Sequence, residues 1–148
     1  MSEGFLSPIE LSGPYLEGVE FHINPDGPNG ASLYGDVQLT VPDDLELHHE
    51  NGAFVLRFRM RVMARLIEMA DGTDAELMRA IVSMSGALSV ADSIGMPQQE
   101  IFESLRVNGV SMFYAFARTQ IELVTSQSAM GRFTIRPIDP SAYLRELG

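Results

Sequence analysis

The stretch Ala53-Phe-Val-Leu-Arg-Phe-Arg-Met-Arg-Val-Met-Ala-Arg-Leu-Ile-Glu-Met69 alternates along its whole length. Phe54, Leu56, Phe58, Met60, Val62, Ala64 and Leu66 share one parity. Arg57, Arg59, Arg61 and Arg65 share the other, with Val55, Met63 and Ile67 among them. Successive side chains of a strand point to opposite faces, so the spacing predicts one long strand with an apolar face and a cationic stripe. Such a stripe could hold a ligand, but pairing with acids on neighbouring strands is the favoured expectation, because opposite charges facing each other across strands stabilise a sheet modestly.

Upstream, Val19, Phe21 and Ile23 alternate with Glu20 and His22, which reads as a half-buried strand. Turn residues over Asn24–Gly30 end it. A second alternating run sets Leu33, Val37, Leu39 and Val41 against Tyr34, Asp36, Gln38 and Thr40. Pro42-Asp43-Asp44 opens a polar connection that closes at the turn pair Asn51-Gly52. Residues 1–14, with Ser-Pro and Gly-Pro breaks, read as a lead-in to a single domain over 15–148.

Downstream, Asp71-Gly72 suggests a hairpin. Residues 76–90 fit either a strand or a helix begun by the capping box Thr73-x-x-Glu76. Pro97 can open a helical turn, Asn108-Gly109 interrupts it, and the main helix is expected from about Val110 to Ser128. One stripe of that helix carries Val110, Phe113, Tyr114, Ala117, Ile121 and Val124, and a second carries Met112, Phe116 and Leu123. A helix lying on a sheet needs one apolar stripe; two imply that something covers the other side, a second subunit or another segment, and a helix-mediated oligomer is the favoured expectation. Met112, Phe116 and Leu123 are thus the expected oligomer interface. Met130-Gly131 ends the helix, and Ser141–Leu147 forms a short terminal one.

The net charge of −10 is uneven: residues 1–50 hold ten acids and no base, whereas 51–148 hold ten acids and ten arginines. That balance argues against nucleic acid, which needs a basic footprint. No cysteine is present, which excludes disulfides and thiol chemistry. No apolar run approaches the length of a membrane span. The N-terminal MSEGFLSPIEL lacks the basic and apolar regions of a signal peptide, so a cytoplasmic protein is expected.

The C-terminal third carries a resemblance. Tyr114-Ala-Phe-Ala-Arg118 resembles the F-P-Y-A-R segment of the SecB protein-export chaperones. Arg136-Pro-Ile-Asp-Pro-Ser-Ala-Tyr-Leu144 resembles their A-P-V-N-F-D-A-L-F segment, at the family's own spacing from Arg118. Val19-Glu-Phe21 and Asp36-Val-Gln-Leu-Thr-Val41 are similar to the first two strands, and Ala87-Leu-Ser-Val90 to the end of the fourth. Ser85-Gly86 falls on the family's glycine pair. The order and spacing of these segments, over about residues 16–147, carry the likeness.

The resemblance implies an α+β fold: a SecB-like four-stranded antiparallel sheet packed with a long C-terminal helix, with residues 76–90 as the fourth strand. It also implies a dimer or tetramer, and an ATP-independent holdase binding unfolded or precursor polypeptides for export. The family's acidic contact for the export motor falls at Ile81, and a leucine near it at Arg79. The sequence stops at Gly148, before most of the family's second helix and acidic tail. These departures count against the export motor as a partner and keep open a SecB-fold adaptor for one dedicated protein, such as a toxin–antitoxin-associated chaperone.

Chemistry is sparse. His48-His49 lies among Asp43, Asp44, Glu46 and Glu50, and an exposed polar connection is the favoured reading over a metal site. No nucleophile elbow, Walker loop or dinucleotide fingerprint occurs, so neither an enzyme nor a cofactor is expected. A small-molecule binder using the sheet–helix cleft is the third alternative. Methionines such as Met60, Met63, Met69, Met78 and Met84 suit either core packing or adaptable apolar surfaces. The expected client-binding residues are Leu33 and Tyr34, with Phe133, Ile135, Tyr143 and Leu144 after the long helix.

Overall fold

The alternating stretch forms one of the two long interior strands of an antiparallel sheet. In the computed structural model, which describes residues 8–25, 32–70, 72–128 and 131–146, the strands are β1 (Glu10–Ile23), β2 (Ser32–Thr40), β3 (Leu47–Glu50), β4 (Ala53–Ala70) and β5 (Thr73–Ala91). A short 3-10 turn, Asp92–Ile94, leads to α1 (Gln98–Ser126) and then α2 (Pro140–Glu146). The four long strands run in the order β1-β5-β4-β2, and β3 adds to β4 alongside. Residues 1–7, Asp26–Gly30 of the expected turn, Asp71, Met130 and Leu147 lie outside the described residues.

The apolar parity of β4 builds the core. Leu56, Phe58, Val62 and Ala64 are fully buried and Met60 nearly so. On β5 their register partners Leu88, Met84, Val82 and Ala80 are buried beside them. The buried stripe of α1, Val110, Phe113, Tyr114, Ala117 and Ile121, lies on this face. Each large apolar side chain removed from water here stabilises the fold by about 1.5–3 kcal/mol. Phe58 and Phe113 meet edge to face at 4.9 Å between ring centroids.

Residues 76–90 are strand, in register with both β1 and β4. The ambiguity had a physical source: Leu77 and Ile81, of the parity opposite to Met78, Ala80 and Val82, are buried as well. Buried apolar residues on both parities at this end of the strand blur its period of two, while Ser83, Ser85 and Ala87 further along stay half-buried. The Thr73-x-x-Glu76 capping box is therefore not used.

Two expected breaks are absorbed rather than obeyed. The helix runs unbroken through Asn108-Gly109 from Gln98 to Ser126. Gly109 is there for contact: a Cβ on it would sit 3.0 Å from the Phe58 ring, so the missing side chain lets α1 approach β4. Asn108 Nδ2 donates to the Ser104 carbonyl at 2.8 Å, one turn back. Likewise the Gly13-Pro14 break does not end the lead-in. β1 already pairs with β5 at Glu10↔Ser89 and carries Gly13-Pro14 within a register shift between Ser12 and Tyr15.

The polar connection after Pro42 is also more ordered than expected. His48 and His49 belong to β3, paired with Val55 and Phe54. Asn51 and Gly52, with φ of 52° and 76°, make the tight turn into β4. His49 stacks on Phe54 at 4.7 Å and bonds Asp92 through Nε2 at 2.9 Å.

Candidate functional site

After α1 the chain has no regular structure from Gly131 to Asp139, yet it is held in place by the helix it has just left. Thr125, almost wholly buried, accepts a hydrogen bond from the Phe133 amide at 2.9 Å. Arg118 Nε donates to the Ile135 carbonyl at 3.1 Å. The Tyr114 hydroxyl donates to the Arg136 carbonyl. Arg132 closes the near end with a 2.6 Å ion pair to Glu122. That bond with Arg132 holds the Glu122 carboxyl below the usual carboxylate range. Burial pushes the Tyr114 phenol up, so it stays a donor at neutral pH.

The clamped segment runs beside β2, whose second side pairs with no described strand. Between them lies a groove of about 590 Å³. Leu33, Tyr34 and Val37 come from the strand and Phe133, Ile135 and Ile138 from the segment. Leu33 is 46% exposed and Tyr34 39%, whereas Ile135 is 2% exposed and forms a buried floor. The Tyr34 hydroxyl donates to Asp74 at 3.1 Å, and that bond raises its pKa from the ordinary phenol value. The groove is mainly apolar, with Thr134 and Arg136 the polar residues of its irregular wall.

Of the expected client residues, Leu33, Tyr34, Phe133 and Ile135 line this one groove. Tyr143 and Leu144 do not; they sit half-buried on α2 against the core. Tyr143 instead donates to the Leu39 carbonyl at 2.9 Å, tying α2 to β2. Asp139 caps α2, its Oδ1 accepting from the Ser141 and Ala142 amides at 3.0 and 3.2 Å. Sequence reasoning missed Val37, Tyr114 and Ile138 as lining residues, having read Val37 only as part of an alternating strand and Tyr114 only as part of the helix's apolar stripe. No signal in the sequence separates a core residue from one at the rim of a groove made by distant segments.

Along α1, Met112 and Phe116 are half-buried and Leu123 is 54% exposed. The second apolar stripe thus runs along the flank of the helix and surfaces toward its C-terminal end. At the other edge of the sheet, β1 exposes Leu11, Tyr15, Leu16 and Val19. Among the described residues, no group of His, Asp or Glu could hold a metal ion. No helix among the described residues is long and apolar enough to cross a membrane.

The cationic stripe on the open face of the sheet is only partly paired. Arg65 bonds Asp36, its register partner on β2, which raises the guanidinium pKa further, and lies 4.0 Å from Glu76. Arg79 bonds Glu76 at 2.9 Å and Arg57 bonds Glu50 at 3.0 Å. Cross-strand neutralisation therefore holds at the two ends of the stripe. In the middle, exposed Arg59 and Arg61 make no ion pair among the described residues, contrary to the expectation for the whole stripe.

This sheet with one long helix across it is a SecB-like fold. A solved Mycobacterium tuberculosis SecB-like chaperone, in complex with a ChAD peptide from the HigA1 antitoxin, matches with a TM-score of 0.62 and 13% identity, over 88% of this chain and 90% of that one. A Streptococcus agalactiae protein of unknown function matches with a TM-score of 0.44 and 10% identity, over 86% and 96% of the two chains. No protein-family model and no curated protein sequence matches the chain.

Proposed function

We propose that this protein is an ATP-independent chaperone that holds unfolded or precursor polypeptides in the groove between β2 and the Phe133–Ile138 segment. The observation that carries the reading is the pairing of a free strand edge with exposed Leu33 and Tyr34 beside a buried apolar floor at Ile135. An extended client chain can add its backbone to β2 while alternate side chains enter the groove. Burial of apolar and aromatic side chains supplies the affinity, and it is indifferent to client sequence. Tyr143 and Leu144, held on α2, act by fixing β2 rather than by touching the client.

In this account the protein works in the cytoplasm as a homo-oligomer, a dimer or tetramer, with Met112, Phe116 and Leu123 of α1 at a subunit interface. A second reading is an adaptor for one dedicated protein. The solved SecB-like chaperone that shares this fold is bound to an antitoxin peptide, which favours a single partner of that kind. Export clients handed to the motor fit less well, because Ile81, at the family's acidic contact, is 6% exposed and apolar.

Hydrogen exchange tests the groove directly. With an excess of a permanently unfolded polypeptide, protection is expected over Leu33–Val37 and Phe133–Ile138. Protection only at the exposed apolar edge of β1, or none, contradicts the assignment. Several unrelated unfolded chains giving the same footprint favour the holdase; a footprint from one protein alone favours the adaptor.

A further inference from the structure

The open face of the sheet, opposite α1, carries a feature that the groove does not use. Arg59 and Arg61 stand exposed side by side on it, while Arg57 and Arg65 on the same stripe are each paired with an acid. Their neighbours across β5 are Ser85 and Ser83, and beyond Ser83 lies Gly18 of β1. These short side chains form a low floor that lets an incoming main chain come down beside the guanidinium groups. Two depressions meet at Arg59. One, of about 530 Å³, reaches Tyr15 and Ala87; the other, of about 180 Å³, reaches Thr40 and Ser83.

We propose that this face is a second docking surface, which takes an extended acidic segment of a partner polypeptide with a Glu-x-Glu or Asp-x-Asp spacing. Residues two apart in a strand share a face and lie roughly 7 Å apart. Arg59 and Arg61 are two apart, so an extended chain with carboxylates at the same interval can meet both in register. Guanidinium groups suit the task, because their fixed fork binds a carboxylate through two parallel hydrogen bonds. Asp44 and Glu46 on the wall of the larger depression, and Glu17 on the smaller, limit the docked charge. They disfavour a uniformly acidic chain and a phosphate backbone, and favour two acids set among small or aromatic residues. Tyr15, 58% exposed at one end, offers the aromatic contact.

The test is fluorescence anisotropy with a labelled peptide in which two Glu residues alternate with Ser and are flanked by Tyr and Gly. Controls are the same peptide with Gln for Glu, the same with Lys for Glu, and a single-stranded oligonucleotide of equal length. The wild type is expected to bind the Glu-x-Glu peptide, more weakly as salt rises, and to bind the Gln peptide at least about fivefold less tightly. The double variant R59Q/R61Q is expected to lose about tenfold in affinity, whereas Leu33→Asp, in the client groove, leaves it unchanged. The proposal is overturned if the Glu and Gln peptides bind wild type alike, if the Lys peptide or the oligonucleotide binds more tightly, or if Leu33→Asp abolishes binding as well. The wild-type peptide comparison decides even where the double variant does not fold, and neither result depends on whether the groove holds clients.

Discussion

Gly86 and Gly109 mark where helix and sheet come closest. A Cβ at Gly86 would lie 2.5 Å from the Ser12 carbonyl oxygen and 2.8 Å from the Phe113 ring, so both the β1 backbone and the Phe113 ring must give way to admit it. Overpacking of this kind costs about 1–3 kcal/mol. Gly86→Ala is therefore expected to lower the denaturation midpoint clearly; an unchanged midpoint would show that β1 can shift freely. Gly109→Ala gains helix propensity of about 1 kcal/mol but presses on the fully buried Phe58, and a net loss is expected. Leu33 behaves in the opposite way. It is exposed, so Leu33→Asp is expected to change stability by no more than about 0.5 kcal/mol while weakening client binding, as measured by unfolding and peptide titration on one sample. The role of Gly109 was not legible in the sequence: Asn-Gly reads as an interruption, and only the tertiary contact with Phe58 shows that the glycine keeps the helix seated.

At the scale of elements, the strands that could be read were those with one wet face. β4 alternates because Arg57, Arg59 and Arg61 face solvent while Leu56, Phe58 and Met60 face α1. β5 was ambiguous because Leu77 and Ile81 are buried on the parity opposite to its core residues. β3 was hidden because its four residues are mostly polar and its pairing is set by the Asn51-Gly52 turn. The groove was half legible. Leu33, Tyr34, Phe133 and Ile135 come together, but the wall itself depends on α1 holding irregular chain, which no period reports. That wall makes two predictions. Tyr114→Phe removes the donor to Arg136, and a loss of about 1 kcal/mol is expected, with faster hydrogen exchange over Phe133–Ile138. The Arg132 pair depresses the Glu122 pKa in the folded state, so its contribution is present above the ordinary carboxylate range and fades as pH falls through the lowered value. Wild type should thus melt above Glu122→Gln at pH 7, and the gap should shrink as pH falls below the ordinary carboxylate range; a gap unchanged in acid contradicts the ion pair as its cause.

For the whole molecule, the question is what covers the remaining apolar surface. Leu123 on α1 and Leu11, Leu16 and Val19 on β1 are exposed in the single chain. A helix-mediated oligomer buries the first of these, so Leu123→Glu is expected to reduce the mass seen by light scattering, while a wild type already monomeric would remove the reason for the second stripe. The groove lies at the β2 edge, at the opposite side of the sheet from the exposed apolar edge of β1. On the proposed function, the net charge of −10 would favour basic unfolded chains over acidic ones at long range. The central claim is that the β2 groove holds non-native polypeptide. It is tested most directly by light scattering of a chemically denatured protein diluted into buffer with the purified chain at stoichiometric concentration, as wild type and as Leu33→Asp. Suppression of aggregation by wild type, and its loss in the folded Leu33→Asp variant, is the predicted result. Equal aggregation with and without wild type, or equal protection by both forms, would contradict it.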